Sequence, residues 1–210
     1  MKWVRRIAIL LLIIILLTAA AGAGLWLYLD HAEWGFAREV SAEEAALRNK
    51  VVTTAESWLG ANEDDGTHKA VIDLYNSHEP LAQDYEVQYS DNWCSTFASS
   101  VAIACGLTDI IPTECGCQRH IGLFDEIGCW EEYDGYMPLP GDYIFYCKNC
   151  DFSSDCTSWS SHVGIVVGTC GPFIKVIEGN KGDAVDYRII VRNDPQIRGY
   201  GTPDYTGKCE

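Results

Sequence analysis

Between Ile7 and Leu29 the chain runs for 23 residues without a charged side chain, directly behind Lys2, Arg5 and Arg6. A helix of that length crosses the hydrocarbon core of a bilayer, and the basic flank predicts that the N-terminus stays in the cytoplasm. A cleaved signal peptide is the alternative. Its apolar core would be Ile7 to Leu17, and Ala21-Gly22-Ala23 resembles a small-residue cleavage site. The apolar run continues through Leu25, Trp26, Leu27, Tyr28 and Leu29, and Trp and Tyr favour membrane interfaces, which argues for an anchor. Either way, everything downstream is exported. The expected location is the cell membrane, single-pass with an extracytoplasmic domain, or secreted if the segment is cleaved.

That exported part is acidic. All 30 Asp and Glu lie beyond residue 29, against 12 Lys and Arg, for a formal charge of −18. A field of that sign disfavours nucleic acid and anionic headgroups as partners. It also repels an anionic cell wall, so proximity to such a substrate must come from the tether. Plain solubility accounts for the charge equally well.

The chain's 210 residues suffice for one sizeable domain and an appendage. No internal repeat or low-complexity linker is visible, so the expected division is 1–29 anchor or signal, 30–44 stalk and 45–210 catalytic domain. Ser41-Ala42-Glu43-Glu44 reads as a capping box that opens a helix over Ala42 to Leu59, stopped at Gly60. A second helix is expected over His68 to Asn76, ahead of Pro80. A third has Asp91 as N-cap, apolar residues at Phe97, Val101 and Ala104, and Gly106 as C-cap. Beyond Pro112, turn-rich stretches alternate with the strand-like runs Tyr143–Tyr146, Val163–Val167, Phe173–Ile177 and Tyr187–Val191. Helices first and strands second predict an α+β domain with helices packed on one side of an antiparallel sheet.

Cys94 is the chemical focus. With Asp91 as N-cap it falls at the third helical position, where free N–H groups and the helix dipole favour a thiolate. A thiol of that kind is a competent nucleophile when a base sits beside it, although a cysteine is also a common buried apolar residue. Ser161-His162-Val163-Gly164-Ile165-Val166-Val167 reads as a strand opening on histidine, and Val176-Ile177-Glu178-Gly179-Asn180 as one closing on a carboxylate and an amide. Glu178 and Asn180 share one face by the period of two. A three- or five-residue turn around Cys170-Gly171-Pro172 puts His162 on that face too, and a slip of one residue removes it. The result would be a nucleophile, a base and an orienting group. Taken singly, His162 also reads as a histidine at a strand end and Glu178 as a solvated charge.

These strings in this order, with Pro140-Gly141-Asp142 leading into a strand, resemble the CHAP domain, the cysteine, histidine-dependent amidohydrolase/peptidase family. The likeness spans about residues 45–205, with 68 residues from Cys94 to His162 and 16 from His162 to Glu178. It implies a papain-like fold and cleavage of an amide bond in peptidoglycan, by an amidase or endopeptidase activity, without a cofactor. Cys94 would be the nucleophile and His162 the base. Glu178 would be the orienting group, Asn180 a polar partner, and the backbone N–H of Cys94 an oxyanion donor. The segment Asp84–Asp91 lacks the dense carboxylates of a calcium loop, so no metal is expected. Trp93 and Trp159 either line a groove or pack in the core. A silent membrane-anchored scaffold and a cysteine protease acting on protein substrates are the rival readings.

Ten cysteines depart from the family's pattern. Beside Cys94, Cys105 near the end of an apolar helix reads as a buried free thiol. The other eight are Cys115, Cys117, Cys129, Cys147, Cys150, Cys156, Cys170 and Cys209. Export makes disulfides the first expectation for them, and free thiols the next. A zinc site built on Cys147-x-x-Cys150 with Cys115, Cys117 or Cys156 is the third reading.

Overall fold

The computed structural model describes residues 2–132, 135–147 and 158–208, with the backbone alone for residues 2–10 and 12. The chain divides into two units, Met1–Glu33 and Trp34–Glu210. The first is essentially one helix, α1 (Lys2–Asp30). Its stretch Ile13–Asp30 is long and apolar enough to span a membrane or to serve as a signal sequence. The expected stalk, 30–44, is not a separate element. Gly35 forms an antiparallel bridge with Thr169 and so belongs to the second unit.

The second unit is α+β. Helices α2 (Ala42–Glu56), α3 (Lys69–Asn76), α4 (Cys94–Cys105) and α5 (Cys117–Glu126) accompany six strands. These are β1 (Trp130–Glu131), β2 (Tyr143–Tyr146), β3 (His162–Cys170), β4 (Phe173–Glu178), β5 (Asp186–Val191) and β6 (Ile197–Gly201). They form one antiparallel sheet in the order β1-β6-β2-β3-β4-β5. Odd positions of β2 face the helices, where Tyr143 and Phe145 join Phe97, Val101, Ile72 and Phe124 in the main core. Even positions face the other way, and Ile144 and Tyr146 join Val166, Val176, Ile190 and Tyr200 in a smaller cluster. This is the alternation expected of a sheet buried on both faces.

Three expected boundaries move. The first helix starts as read, with Ser41 Oγ accepting from Glu44 N at 3.0 Å, but ends at Glu56. The Glu44 carboxylate does not complete the box; it turns to Arg48 instead, 2.7 Å away. Helix α3 starts one residue later, with His68 as its cap. Asp91 does not cap α4. The cap is Trp93, and Cys94 is the first helical residue. The Asp91 carboxylate is engaged earlier in the chain, accepting from Gln88 N and Tyr85 Oη at 2.8 and 2.7 Å.

Helix α5 and strands β1 and β6 were missed, since residues beyond Pro112 read as turns and short strands. The signal for α5 was present: Cys117, His120, Ile121 and Phe124 are buried at helical spacing.

Pro140-Gly141-Asp142 proves to be a structural anchor. Asp142 is fully buried, accepts from Arg48 Nη1 at 2.8 Å, and takes further bonds from Tyr136 Oη and Leu139 N. Arg48 also donates to the Pro140 carbonyl, tying α2 to the entry of β2. Asp142→Asn removes the charge from a buried, hydrogen-bonded ion pair. It is expected to cost about 2 kcal/mol in urea denaturation, and a shift of only a few tenths would remove the anchor role.

Candidate active site

Two glycines leave room for the residues of the site. A Cβ on Gly179 would lie 2.3 Å from Phe97 Cβ, so only glycine lets the first turn of α4 sit against the end of β4. A Cβ on Gly164 would lie 2.7 Å from Glu178 Cγ, so this glycine keeps space for that side chain beside β3. At the first position of α4, Cys94 has a backbone N–H without an intrahelical acceptor.

His162 opens β3, opposite Tyr146, and stacks on its ring at 5.9 Å between centroids. Its Nε2 lies 3.1 Å from Glu178 Oε2. Register decides this contact. The β3–β4 turn has two residues, Gly171-Pro172, between Cys170 and Phe173. In unbroken pairing that turn would put His162 opposite Lys181 and on the wrong face. A bulge between Val166 and Gly168 absorbs one residue, and beyond it Ile165 pairs with Ile177. His162 and Glu178 thereby share a face with Tyr146 and Arg188. The expected three- or five-residue turn is replaced by a shorter turn plus a bulge, at the point where the Trp34–Gly35 segment packs on Gly168.

Glu178 is fully buried between two cations, His162 and Arg188, whose Nε donates to Oε1 at 2.6 Å. Burial pushes its carboxyl up, but hydrogen bonds from His162 and Arg188 outweigh this and hold it below the ordinary range. Burial also pulls His162 down. The hydrogen bonds and charges of Cys94 and Glu178 overcome it and raise His162 to about 9. With Nε2 turned to Glu178, the other ring nitrogen is left for Cys94.

Cys94 is held well below the ordinary thiol range. The largest cause is a hydrogen bond from Cys117, ahead of opposing burial, then the hydrogen bond and charge of His162 and the N–H of Ser95. The two sulfurs lie 3.5 Å apart. Cys117 moves the other way, well above the range, because its proton serves Cys94 and because it is buried. The directions of these shifts favour a thiolate on Cys94 beside an imidazolium on His162, the arrangement that nucleophilic thiol chemistry requires.

Asn180 has a positive φ of 53°, and its amide donates to Oδ1 of Asn92, two residues before Cys94, at 3.4 Å. Trp93 is fully buried and donates to Glu63, so it packs rather than lining a groove, whereas Trp159 is 79% exposed three residues before His162. Sequence reasoning missed Arg188, Tyr146 and Cys117. Period two could have found Arg188, since it shares the face of Asp186, which pairs with Glu178.

Cys94, Cys105, Cys115, Cys117 and Cys129 are free thiols, and Cys105 is buried as expected. Cys147 is disulfide-bonded, which removes it from any zinc site. Cys150, Cys156 and Cys209 lie outside the described residues. Among the described residues no group of His, Cys, Asp or Glu is arranged to hold a metal ion.

No known family profile and no curated protein matches the chain. Two solved structures align with it. They are the crystal structure of Ly7917, at 14% identity and a TM-score of 0.41, and the crystal structure of Ly7917 with the hydrolyzing product of MDP, at 12% and 0.42. Each alignment takes in 74% of this chain and 62% of the other, so the chain spans about three fifths of the length of the structures it matches.

Proposed function

We propose that this protein is a thiol hydrolase of the CHAP class, papain-like in layout, that cleaves an amide bond in peptidoglycan from the outer side of a membrane. The observation that carries the hydrolase reading is the Cys94–His162–Glu178 relay, with the sulfur at a helix N-terminus and the imidazole held 3.1 Å from a buried carboxylate. The order and spacing of the motifs around these residues support peptidoglycan as the substrate class. The apolar helix α1 supports a tether, which offsets the charge repulsion between an acidic domain and an anionic wall.

In this mechanism the Cys94 thiolate attacks the amide carbon. The free N–H of Cys94 donates to the oxyanion that develops, an interaction stronger in the transition state than in the ground state. His162 gives its proton to the departing amine, leaving a thioester on Cys94. The imidazole, now neutral, takes a proton from water as that water attacks the thioester, and the carboxylate product leaves. Glu178 fixes the ring and stabilises its cationic form, with Arg188 fixing Glu178 in turn.

The test is digestion of purified peptidoglycan by the full-length, reduced chain in detergent, with Cys94→Ala as the blank and products read by mass spectrometry. New amino termini or free glycan strands that depend on Cys94 are the expected result and name the bond. No release from several wall chemotypes would overturn the peptidoglycan reading.

A further inference from the structure

The second thiol at the site makes and breaks no bond to substrate in that mechanism beyond its hydrogen bond to Cys94, yet its placement is closely fixed. Cys94 and Cys117 are the first residues of α4 and α5, so two helix N-termini meet through their sulfurs. The single hydroxyl proton of Ser95, next to Cys94, lies between two acceptors, the Glu114 carbonyl at 2.8 Å and His120 Nδ1 on α5 at 3.0 Å from Oγ. Burial lowers His120 to about 4, so it is neutral and donates through Nε2 to the Pro112 carbonyl. Ser99 Oγ also donates to the Glu114 carbonyl, and the Glu114 carboxylate accepts from the N–H groups of Cys115 and Gly116. Gln118 accepts from Ser160 N, which ties the start of α5 to the approach to His162. Every element around Cys117 is thus pinned, and the sulfurs need to close by only roughly 1.5 Å to reach a disulfide bond length.

We propose that Cys94 and Cys117 form a reversible redox pair whose oxidant is a hydroperoxide. The Cys94 thiolate attacks the peroxide O–O bond, giving a sulfenic acid on Cys94 and an alkoxide or hydroxide that takes the proton of His162. Cys117 then attacks Sγ of Cys94. Its proton passes to His162, which hands it on to the departing hydroxide, so that water leaves and the ring ends neutral. Two thiols and one hydroperoxide become one disulfide, one alcohol (water when the oxidant is hydrogen peroxide) and one further water. A dithiol reduces the disulfide back to two thiols, itself becoming a cyclic disulfide. Capture by Cys117 stops Cys94 short of the irreversible sulfinic acid. That the disulfide silences the enzyme rests on the hydrolase reading; that it forms does not.

The experiment uses the full-length chain in detergent, reduced with dithiothreitol, desalted and treated with a few equivalents of hydrogen peroxide. Remaining thiols are alkylated, and peptides are mapped without reduction. A peptide cross-linked through Cys94 and Cys117 is expected, with loss of alkylation at both together and its return after dithiothreitol. In Cys117→Ser the cross-link is absent and sulfinic acid accumulates on Cys94. Sulfinic acid on Cys94 of the unmodified chain with Cys117 still alkylatable, or a cross-link from Cys94 to Cys115, would overturn the proposal. Because the readout needs no substrate, a cross-link without wall digestion would sink only the peptidoglycan reading, and digestion without a cross-link only this one.

Discussion

Replacing His162 by alanine is expected to lower amide hydrolysis by about 10²–10⁴-fold, the range that a positioned acid–base group contributes. It is also expected to move the titration of Cys94 upward. The imidazolium supplies a hydrogen bond and a positive charge that oppose the burial of that sulfur. Without them the thiol rises toward the ordinary value of about 8.5. Thiolate at neutral pH then falls roughly tenfold for each unit above pH, although a more basic thiolate is intrinsically a better nucleophile. The rate of alkylation by iodoacetamide at a single pH therefore understates the change. The decisive quantity is the pH at which that rate is half-maximal, measured against the parent, with urea denaturation of the same samples separating loss of the base from loss of the fold. An alkylation profile that overlays the parent would show that His162 does not act on the thiol, and its assignment as base would fall.

What the sequence revealed, and what it hid, follows from the range of the forces involved. The apolar run of α1, the capping hydroxyl of Ser41 and the Gly106 stop of α4 are local signals. They depend on backbone groups within a turn of the residue that carries them, and they read correctly. Cys94, His162 and Glu178 were legible because each opens or closes a regular element, so position in the chain nearly fixes position in the site. The contact between His162 and Glu178 was not legible in the same way. It needs a two-residue turn and a bulge at Val167 together, and the bulge lies where a distant segment, Trp34–Gly35, packs on Gly168. Asp91 misled because an aspartate ahead of a helix satisfies a turn as readily as a helix end, and here it bonds Gln88 and Tyr85. The pairing of Cys94 with Cys117 spans 23 residues and depends on how α5 docks, which no spacing rule encodes.

Glu178→Gln isolates charge from shape. Glutamine fills the same space and keeps one oxygen for Arg188 or His162, but it leaves the two cations without their shared buried anion. In the proposed mechanism, hydrolysis by the parent needs Cys94 as thiolate and His162 as imidazolium. Activity therefore declines on the acid side as Cys94 takes up its proton, below the ordinary thiol range, and on the alkaline side as His162 loses its own at about 9. Without the carboxylate, burial still lowers His162 and Arg188 now repels its charged form, so the alkaline limb moves down toward the ordinary histidine value of about 6.5. A weaker imidazolium also holds Cys94 down less firmly, so the acid limb moves up and the bell narrows from both sides. Each unit of movement corresponds to about 1.4 kcal/mol, and movement of the alkaline limb from about 9 to about 6.5 lowers the imidazolium fraction roughly thirtyfold at pH 8 but less than twofold at pH 6. The check is a pH profile of kcat/KM on the wall fragment released by the parent, run beside the iodoacetamide profile. If kcat/KM drops uniformly while both limbs stay in place, Glu178 only holds the ring in position. If the limbs move as described, its charge is what keeps a proton on His162 at the pH where the leaving amine needs it.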